Sequence, residues 1–178
     1  RIEATTGESA EKLVHGNEDI LLSVRAMFNN SPNLAGSISK LVEENENYRR
    51  QVEEFMKERS AELKNRLTED KQYINGVNVI VLKGEFHPEI IKNLAFAFKT
   101  EENTIFIAGY EFDKKANLAL MYSDDLVAHG RNAGKDIREA AKLIEGGGGG
   151  QSFFATAGGK NAEGISAAIA KLIELATK

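Results

Sequence analysis

The chain contains no cysteine and no tryptophan. Without thiols there are no disulfides, no zinc–thiolate sites and no thiol catalysis. The three histidines, His15, His87 and His129, lie far apart, and no short spacing joins them to carboxylates as a metal site requires. Two prolines in 178 residues and a mean hydropathy of -0.35 argue against a disordered polymer. Apolar runs fall far short of the ~20 residues of a membrane-spanning helix. Arg1-Ile2-Glu3-Ala4 leads into polar residues and does not resemble a secretory signal. No membrane partner is therefore expected, and the composition suits a cytoplasmic protein. Positive charge is not in excess: the net charge is -4. This weighs against a non-specific nucleic-acid glove but leaves room for a local basic patch. The chain opens on Arg1 rather than Met and is expected to be a piece of a longer protein. Hydrophobic residues at 42% and charged residues at 28% are enough to fold.

Near residue 73 the sequence changes character. Before it, glycine is scarce and charge is dense; after it come strand-forming runs and most of the glycines. The pattern predicts a helical arm over 8–73 and a globular α/β domain over 74–178. In the arm, Ala10, Leu13, Val14, Asn17, Leu21, Val24 and Phe28 recur at steps of three and four, predicting a helix over 8–29. Thr5 and Glu8 have capping-box spacing. Ser31 and Pro32 suit the cap and first position of a second helix over about 32–73. In it, Leu34, Leu41, Tyr48 and Phe55 recur every seven residues, with Ile38, Asn45 and Val52 between them. Met56, Leu63 and Leu67 continue the stripe after a register shift. Such a helix is ~60 Å long, about twice the first. Its stripe therefore needs cover from a second copy, another domain or the globular domain. Leu34, Leu41, Tyr48, Val52 and Phe55 are candidate oligomerisation residues; the alternative is a linker helix with a solvated charged face.

In the second half, 77–82 and 104–110 read as strands, with a helix over 87–99 started by Pro88. Asp113-Lys114-Lys115 turns the chain into a strand over 116–122, and so short a connection predicts a hairpin. Asp124 and Asp125 suit a short helical turn. A helix over 132–144, a strand over 152–157 and a final helix over 162–176 complete the order β-α-β-β-α-β-α. The fold class is thus α/β (α+β), a mixed sheet with packed helices.

Gly146 to Gly150 form an unbroken glycine run. Each ordered glycine costs ~0.5–1 kcal/mol relative to alanine. The run is expected either to stay mobile as a helix-to-strand connection or to serve close backbone approach. Gly146 is a candidate left-handed residue after the preceding helix. Gly158 and Gly159 sit at the far end of a strand ~20 Å long, so the two glycine clusters are expected to be separate contact points. Gly158-Gly159-Lys160-Asn161 leads into a helix N-terminus, where amides and Lys160 favour an anion such as an RNA phosphate; a solvated turn is the alternative. The nucleotide-hydrolase loop is absent, since Asn161 follows Lys160, and no dinucleotide fingerprint is present. Glu43-Glu44, Glu53-Glu54 and Asp124-Asp125 are adjacent pairs whose side chains diverge on a helix. Ser152 and Thr156 have no base nearby in sequence. Arg131, Lys135, Arg138 and Lys142 form a basic stripe suited to a phosphate backbone, or an ordinary charged face, since Asp136 and Glu139 interrupt it. Direct base readout has no evident candidate.

The strings Glu145-Gly146-Gly147-Gly148-Gly149-Gly150-Gln151 and Ala157-Gly158-Gly159-Lys160-Asn161 resemble the C-terminal domain of bacterial alanyl-tRNA synthetases. This glycine-rich module also ends the DHH-type phosphoesterases. Arg1-Ile2-Glu3-Ala4-Thr5-Thr6-Gly7 looks like the segment that closes the synthetase editing domain, which favours the synthetase. The resemblance implies a non-catalytic tRNA-binding and assembly domain. Its parent ligase would join alanine to tRNA(Ala), with ATP, Mg and Zn held in catalytic and editing domains outside this chain. No cofactor is expected in the chain itself. The implied partners are tRNA(Ala), those two domains, and in some family members a second copy through the helical part. Lys160, Asn161, Gly158, Gly159, Arg131, Lys135, Arg138 and Lys142 are the candidate RNA-binding residues. Two other functions remain: an oligomerisation module without RNA binding, and the substrate-binding domain of a phosphoesterase.

Overall fold

The computed structural model describes residues 6–178. Most of the Arg1-to-Gly7 segment, and Thr5 of the expected capping box, lie outside the described residues. The chain packs as two units divided after Val52. The first contains α1 (Glu8–Met27) and the start of α2 (Leu34–Glu69). Between these helices Asn29 and Asn30 adopt φ of 52° and 55°, a left-handed conformation that asparagine tolerates better than most residues. The cap of α2 is Asn33 rather than Ser31. Asn33 Oδ1 accepts the Gly36 amide at 3.0 Å, while Ser31 Oγ accepts from Ser37 Oγ at 2.9 Å. Pro32 therefore precedes the cap instead of opening the helix. The amphipathic face expected of α1 is present but uncovered, and no α1 residue is buried. Only Ala10, Val24, Arg25 and Phe28 of residues 8–29 reach intermediate exposure.

The second unit begins at Glu53, inside α2, and takes in residues 53–73 of the segment expected as connector. The α2 stripe divides there. Leu41, Tyr48, Val52 and Phe55 are exposed, whereas Met56 and Leu63 are half-buried and Leu67 is buried in the core. Helix α2 ends at Glu69 rather than 73, because Gln72–Ile74 forms β1, an edge strand not expected from the sequence. Asn75 and Gly76, at φ 49° and 90°, join β1 to β2 (Val77–Glu85). This is the two-residue turn chemistry that favours hairpins.

Helix α3 (Pro88–Phe98) has Pro88 at its start and buries Ile91, Leu94, Ala95 and Phe98. Its cap is His87, whose Nδ1 accepts the Glu89 amide at 3.2 Å. β3 (Thr104–Phe112) and β4 (Lys115–Tyr122) form the expected hairpin, with Asp113 and Lys114 both left-handed at φ 53° and 58°. The short α4 (Asp124–Ala128) follows. Helix α5 (Ala133–Ala141) runs into a 3-10 turn at Lys142–Ile144, and Ile137, Ala140, Ala141 and Ile144 are buried as expected.

The glycine run is not a loop: Gly146–Gly150 is β5. It pairs antiparallel with β6 (Phe154–Gly159), which starts two residues later than expected and takes in Gly158 and Gly159. α6 (Ile165–Ala176) starts at Ile165 rather than Ala162. The sheet order is β1-β2-β3-β4-β6-β5, with β2 and β3 parallel and the other pairs antiparallel. The mixed sheet holds, but two strands exceed the predicted order. One core layer joins Leu67 and α3 to the face carrying Ile80, Phe106 and Met121. The other joins α5 and α6 to the face carrying Ile105, Leu118 and Leu120. Among the described residues no helix is long and apolar enough to cross a membrane.

Candidate nucleic-acid interface

The glycine hairpin is built by close approach on one set of positions and bareness on the other. A Cβ on Gly146 would lie 2.1 Å from the Gly158 carbonyl oxygen, and one on Gly148 would lie 2.5 Å from the Thr156 carbonyl oxygen. One on Gly150 would lie 2.5 Å from the Phe154 carbonyl oxygen. These three glycines are required because β5 presses its α-carbons against the β6 backbone. Gly147 and Gly149 differ. A Cβ on Gly147 would meet nothing within 4 Å, and one on Gly149 would meet only the Arg138 guanidinium, at 3.7 Å. Internal packing does not demand glycine at either position.

Cross-strand pairing sets Gly147 opposite Gly158 and Gly149 opposite Thr156. The two glycine clusters are therefore direct neighbours. The separation expected from strand length fails because the run folds back on the strand it precedes. On the sheet face that carries α3, a cleft of about 530 Å³ opens between that helix and the hairpin. Tyr110, Asn117, Gly147, Thr156 and Gly158 are among its lining residues. A second cleft of about 290 Å³ continues it past Lys92, Phe96, Gly149 and Phe153. Helix α3 does not extend over this part of the sheet, so the bare strand edge stays open.

Helix α5 runs along the hairpin on the opposite face. A Cβ on Gly134 would meet the Gly150 carbonyl oxygen at 2.7 Å, and one on Gly159 would meet that of Ile144 at 2.1 Å. Gly159 is thus a packing glycine, whereas Gly158 opens onto the cleft. Lys135, Arg138 and Lys142 are exposed along this segment, and Arg138 reaches the strand edge beside Gly149. Lys142 pairs with Glu139 at 2.7 Å. The hydrogen bond and charge of Lys142 hold the Glu139 carboxyl below the usual range. No carboxylate pairs with Lys135, Arg138 or Lys160 among the described residues. Arg131 stands apart from the stripe: its guanidinium donates to the Leu175 carbonyl at 3.2 Å and ties α6 to the loop before α5.

Asn161 is also engaged internally. Its amide donates to the Ile144 carbonyl at 3.0 Å, and its Oδ1 accepts the Gly164 amide at 3.3 Å. The turn after β6 is thereby locked to the end of the 3-10 turn. Lys160 remains exposed in it. Lys160 follows Gly159, the partner of Gly146 at one end of β5, while Arg138 lies beside Gly149.

Reactive groups do not converge here. Tyr122 is fully buried and donates from its hydroxyl to Asp136 at 2.6 Å. Burial first, and then the Asp136 carboxylate, push the Tyr122 hydroxyl well above its ordinary pKa. Asp125 accepts the Asn103 amide at 2.9 Å. Desolvation, the largest influence on Asp125, opposes ionisation, but hydrogen bonds from Ser123 and the backbone outweigh it and hold the carboxyl low. Both groups tie elements together. Among the described residues no three of His, Cys, Asp and Glu gather as metal ligands.

The sequence did not single out Phe96, Phe153, Lys92 or Asn117. A usable signal existed for the phenylalanines: Phe96 falls off the inner face of its helix, and Phe153-Phe154 stands beside the glycine run.

The family described as the DHHA1 domain matches residues 76–178. Over 178 residues the chain is 48% identical to an alanine--tRNA ligase of Bacteroides fragilis, covering 99% of the chain and 20% of that protein. Over 176 residues it is 44% identical to an alanine--tRNA ligase of Parabacteroides distasonis, with 98% and 20% covered. The chain thus spans about a fifth of the length of these relatives. In fold it is similar to the C-Ala domain of Aquifex aeolicus alanyl-tRNA synthetase. The TM-score is 0.55 at 24% identity, covering 61% of this chain and 98% of that one.

Proposed function

Because the chain belongs to the DHHA1 domain family, we propose that it is the non-catalytic tRNA-binding and assembly domain of an alanine–tRNA ligase. Its polyanionic partner is then tRNA(Ala), and its neighbours are the catalytic and editing domains of the same protein. Support comes from similarity along nearly the whole chain to proteins named as alanine--tRNA ligases. The single structural observation that carries the proposal is the placement of Lys135, Arg138 and Lys160. All three are exposed and without carboxylate partners among the described residues, and Arg138 lies beside Gly149 of the glycine hairpin. Phosphates sit between such cations, and bare backbone lets a sugar–phosphate chain lie close. A net charge of -4 keeps this attraction local, which suits a domain that helps to hold RNA for reactions performed elsewhere.

ATP, Mg and Zn then belong to the ligase beyond this chain. A cytoplasmic location follows from the same proposal, since charging tRNA is a step of protein synthesis.

The test is a fluorescence anisotropy titration of the 178-residue chain with transcribed tRNA(Ala) at ~50 and ~200 mM salt. Affinity should fall as salt rises. Lys135→Glu with Lys160→Glu should weaken binding roughly tenfold or more and flatten the salt slope by about one per lost phosphate contact. No binding at the lower salt rejects the proposal.

A second function is favoured by a separate observation. Tyr48 and Phe55 on α2 are 63% and 66% exposed, and Leu41 and Val52 are also exposed. Water does not support so broad an apolar stripe on a lone helix. A homodimer formed through Leu34, Leu41, Tyr48, Val52 and Phe55 would cover it. Sedimentation equilibrium should then return twice the mass of one chain, and Tyr48→Glu should return it to one.

A further inference from the structure

Phe96 is the outlier among the large apolar residues of α3. Ile91, Leu94 and Phe98 are at most 1% exposed, whereas Phe96 is 48% exposed. It does not stand alone. Its ring meets Phe153 edge to face, with centroids 5.7 Å apart at 74°, and lies 6.1 Å from Phe154. Lys99 Nζ sits 4.7 Å from the Phe153 ring centroid and is held there by Asp124 at 3.3 Å. Phe153 is thus steadied by a cation, while Phe96 projects into the smaller cleft.

The surroundings of that ring are unusual for a patch that merely closes a core. The cleft wall opposite is Gly149, where no packing contact excludes a side chain. Arg138 stands at the same strand edge, whereas Lys92, which lines the passage to the larger cleft, is paired with Glu89 at 3.2 Å. An aromatic face, a wall without side chains and the Arg138 guanidinium at its edge together match one chemistry. A nucleotide carries a flat π face for stacking and a phosphate for the cation. A duplex presents no such free face.

We propose that this cleft takes an unstacked nucleobase from a loop of the bound RNA, with Phe96 as the stacking platform. Arg138 takes an adjoining phosphate, and Gly147 and Gly149 give the room. The inference rests on the RNA-binding function proposed above and adds a preference for looped over fully paired RNA.

The experiment uses the 178-residue chain with two RNA probes of equal length: a stem–loop carrying 2-aminopurine in its loop, and a blunt duplex. Binding is read by anisotropy and stacking by 2-aminopurine quenching, at low salt. The wild-type chain should bind the stem–loop more tightly and quench its fluorescence. Phe96→Leu should weaken stem–loop binding roughly tenfold, abolish quenching, and leave duplex affinity and salt slope unchanged. Phe96→Tyr should restore both signals. Since Phe96 is half-exposed, circular dichroism melts of both variants should match the wild type, which separates stacking from unfolding. Equal affinity for the two probes, or quenching that survives Phe96→Leu, overturns the stacking role. If Lys135→Glu with Lys160→Glu still weakens binding in that case, RNA binding itself stands. Failure of the wild-type chain to bind either probe overturns both.

Discussion

Lys64 of α2 and Glu101, in the turn after α3, form an ion pair of 2.9 Å with side chains 30% and 29% exposed. The same ammonium donates to the Ala97 carbonyl at 2.8 Å and lies 5.3 Å from the Phe98 ring centroid. One side chain therefore binds the end of α2 to the C-terminus of α3, where carbonyls lack helical partners and favour a cation.

Replacing Lys64 with Met should destabilise the second unit by about 1 kcal/mol, a partly screened charged hydrogen bond being at stake. Urea unfolding of Lys64→Met, Glu101→Gln and the double variant checks this. Coupling of the two substitutions is the expected result, and strict additivity would show that the pair contributes nothing.

The glycines of β5 should separate into two classes. Gly148→Ala places a methyl 2.4 Å from the Ala157 Cβ and should destabilise by more than ~1 kcal/mol, because two backbones must part. Gly147→Ala meets open space and should leave the melting temperature within a degree or two, on the order of a few tenths of a kcal/mol. Paired thermal melts decide, and a Gly147→Ala variant as unstable as Gly148→Ala would refute the division.

His87 caps α3 through its ring nitrogen. His87→Ala should cost about 1 kcal/mol, and His87→Asn or His87→Asp should recover most of it, since either supplies an acceptor for the Glu89 amide. Chemical denaturation of the three variants is sufficient.

Tyr122 and Asp136 make a pH-dependent link. The folded Tyr122 pKa lies above its unfolded value, through burial first and then Asp136. Its contribution is therefore complete below pH ~10 and is lost as pH rises past the unfolded pKa. Tyr122→Phe should lose roughly 1–3 kcal/mol near neutral pH by removing a donor to a carboxylate. It should also show a shallower alkaline decline than the wild type. Stability curves from pH 7 to 11 test both points, and parallel declines would count against the link.

The helices of the second unit were legible because burial and periodicity agree. Ile137, Ala140, Ala141 and Ile144 fall on one face and are all buried. The β3–β4 hairpin was legible from a short polar turn. β1 and β5 were not. Gln72–Ile74 carries too few residues for a periodic signal, and five glycines carry no side chains from which to read one. The basic candidates behaved unevenly for a similar reason. Charge marks Arg131 as readily as Arg138, but only folding shows that Arg131 holds the Leu175 carbonyl while Arg138 stands at the bare strand.

By itself the sequence determined the α/β class and the basic character of α5, because periodicity, turn chemistry and charge are properties of neighbouring residues. Tertiary structure decided that the glycine run is a strand folded onto Gly158 and Gly159. It also decided that the end of α2 belongs to the α/β body and that Phe96 faces a cleft. These depend on which distant backbones come close enough to exclude a Cβ, a quantity that no local pattern encodes.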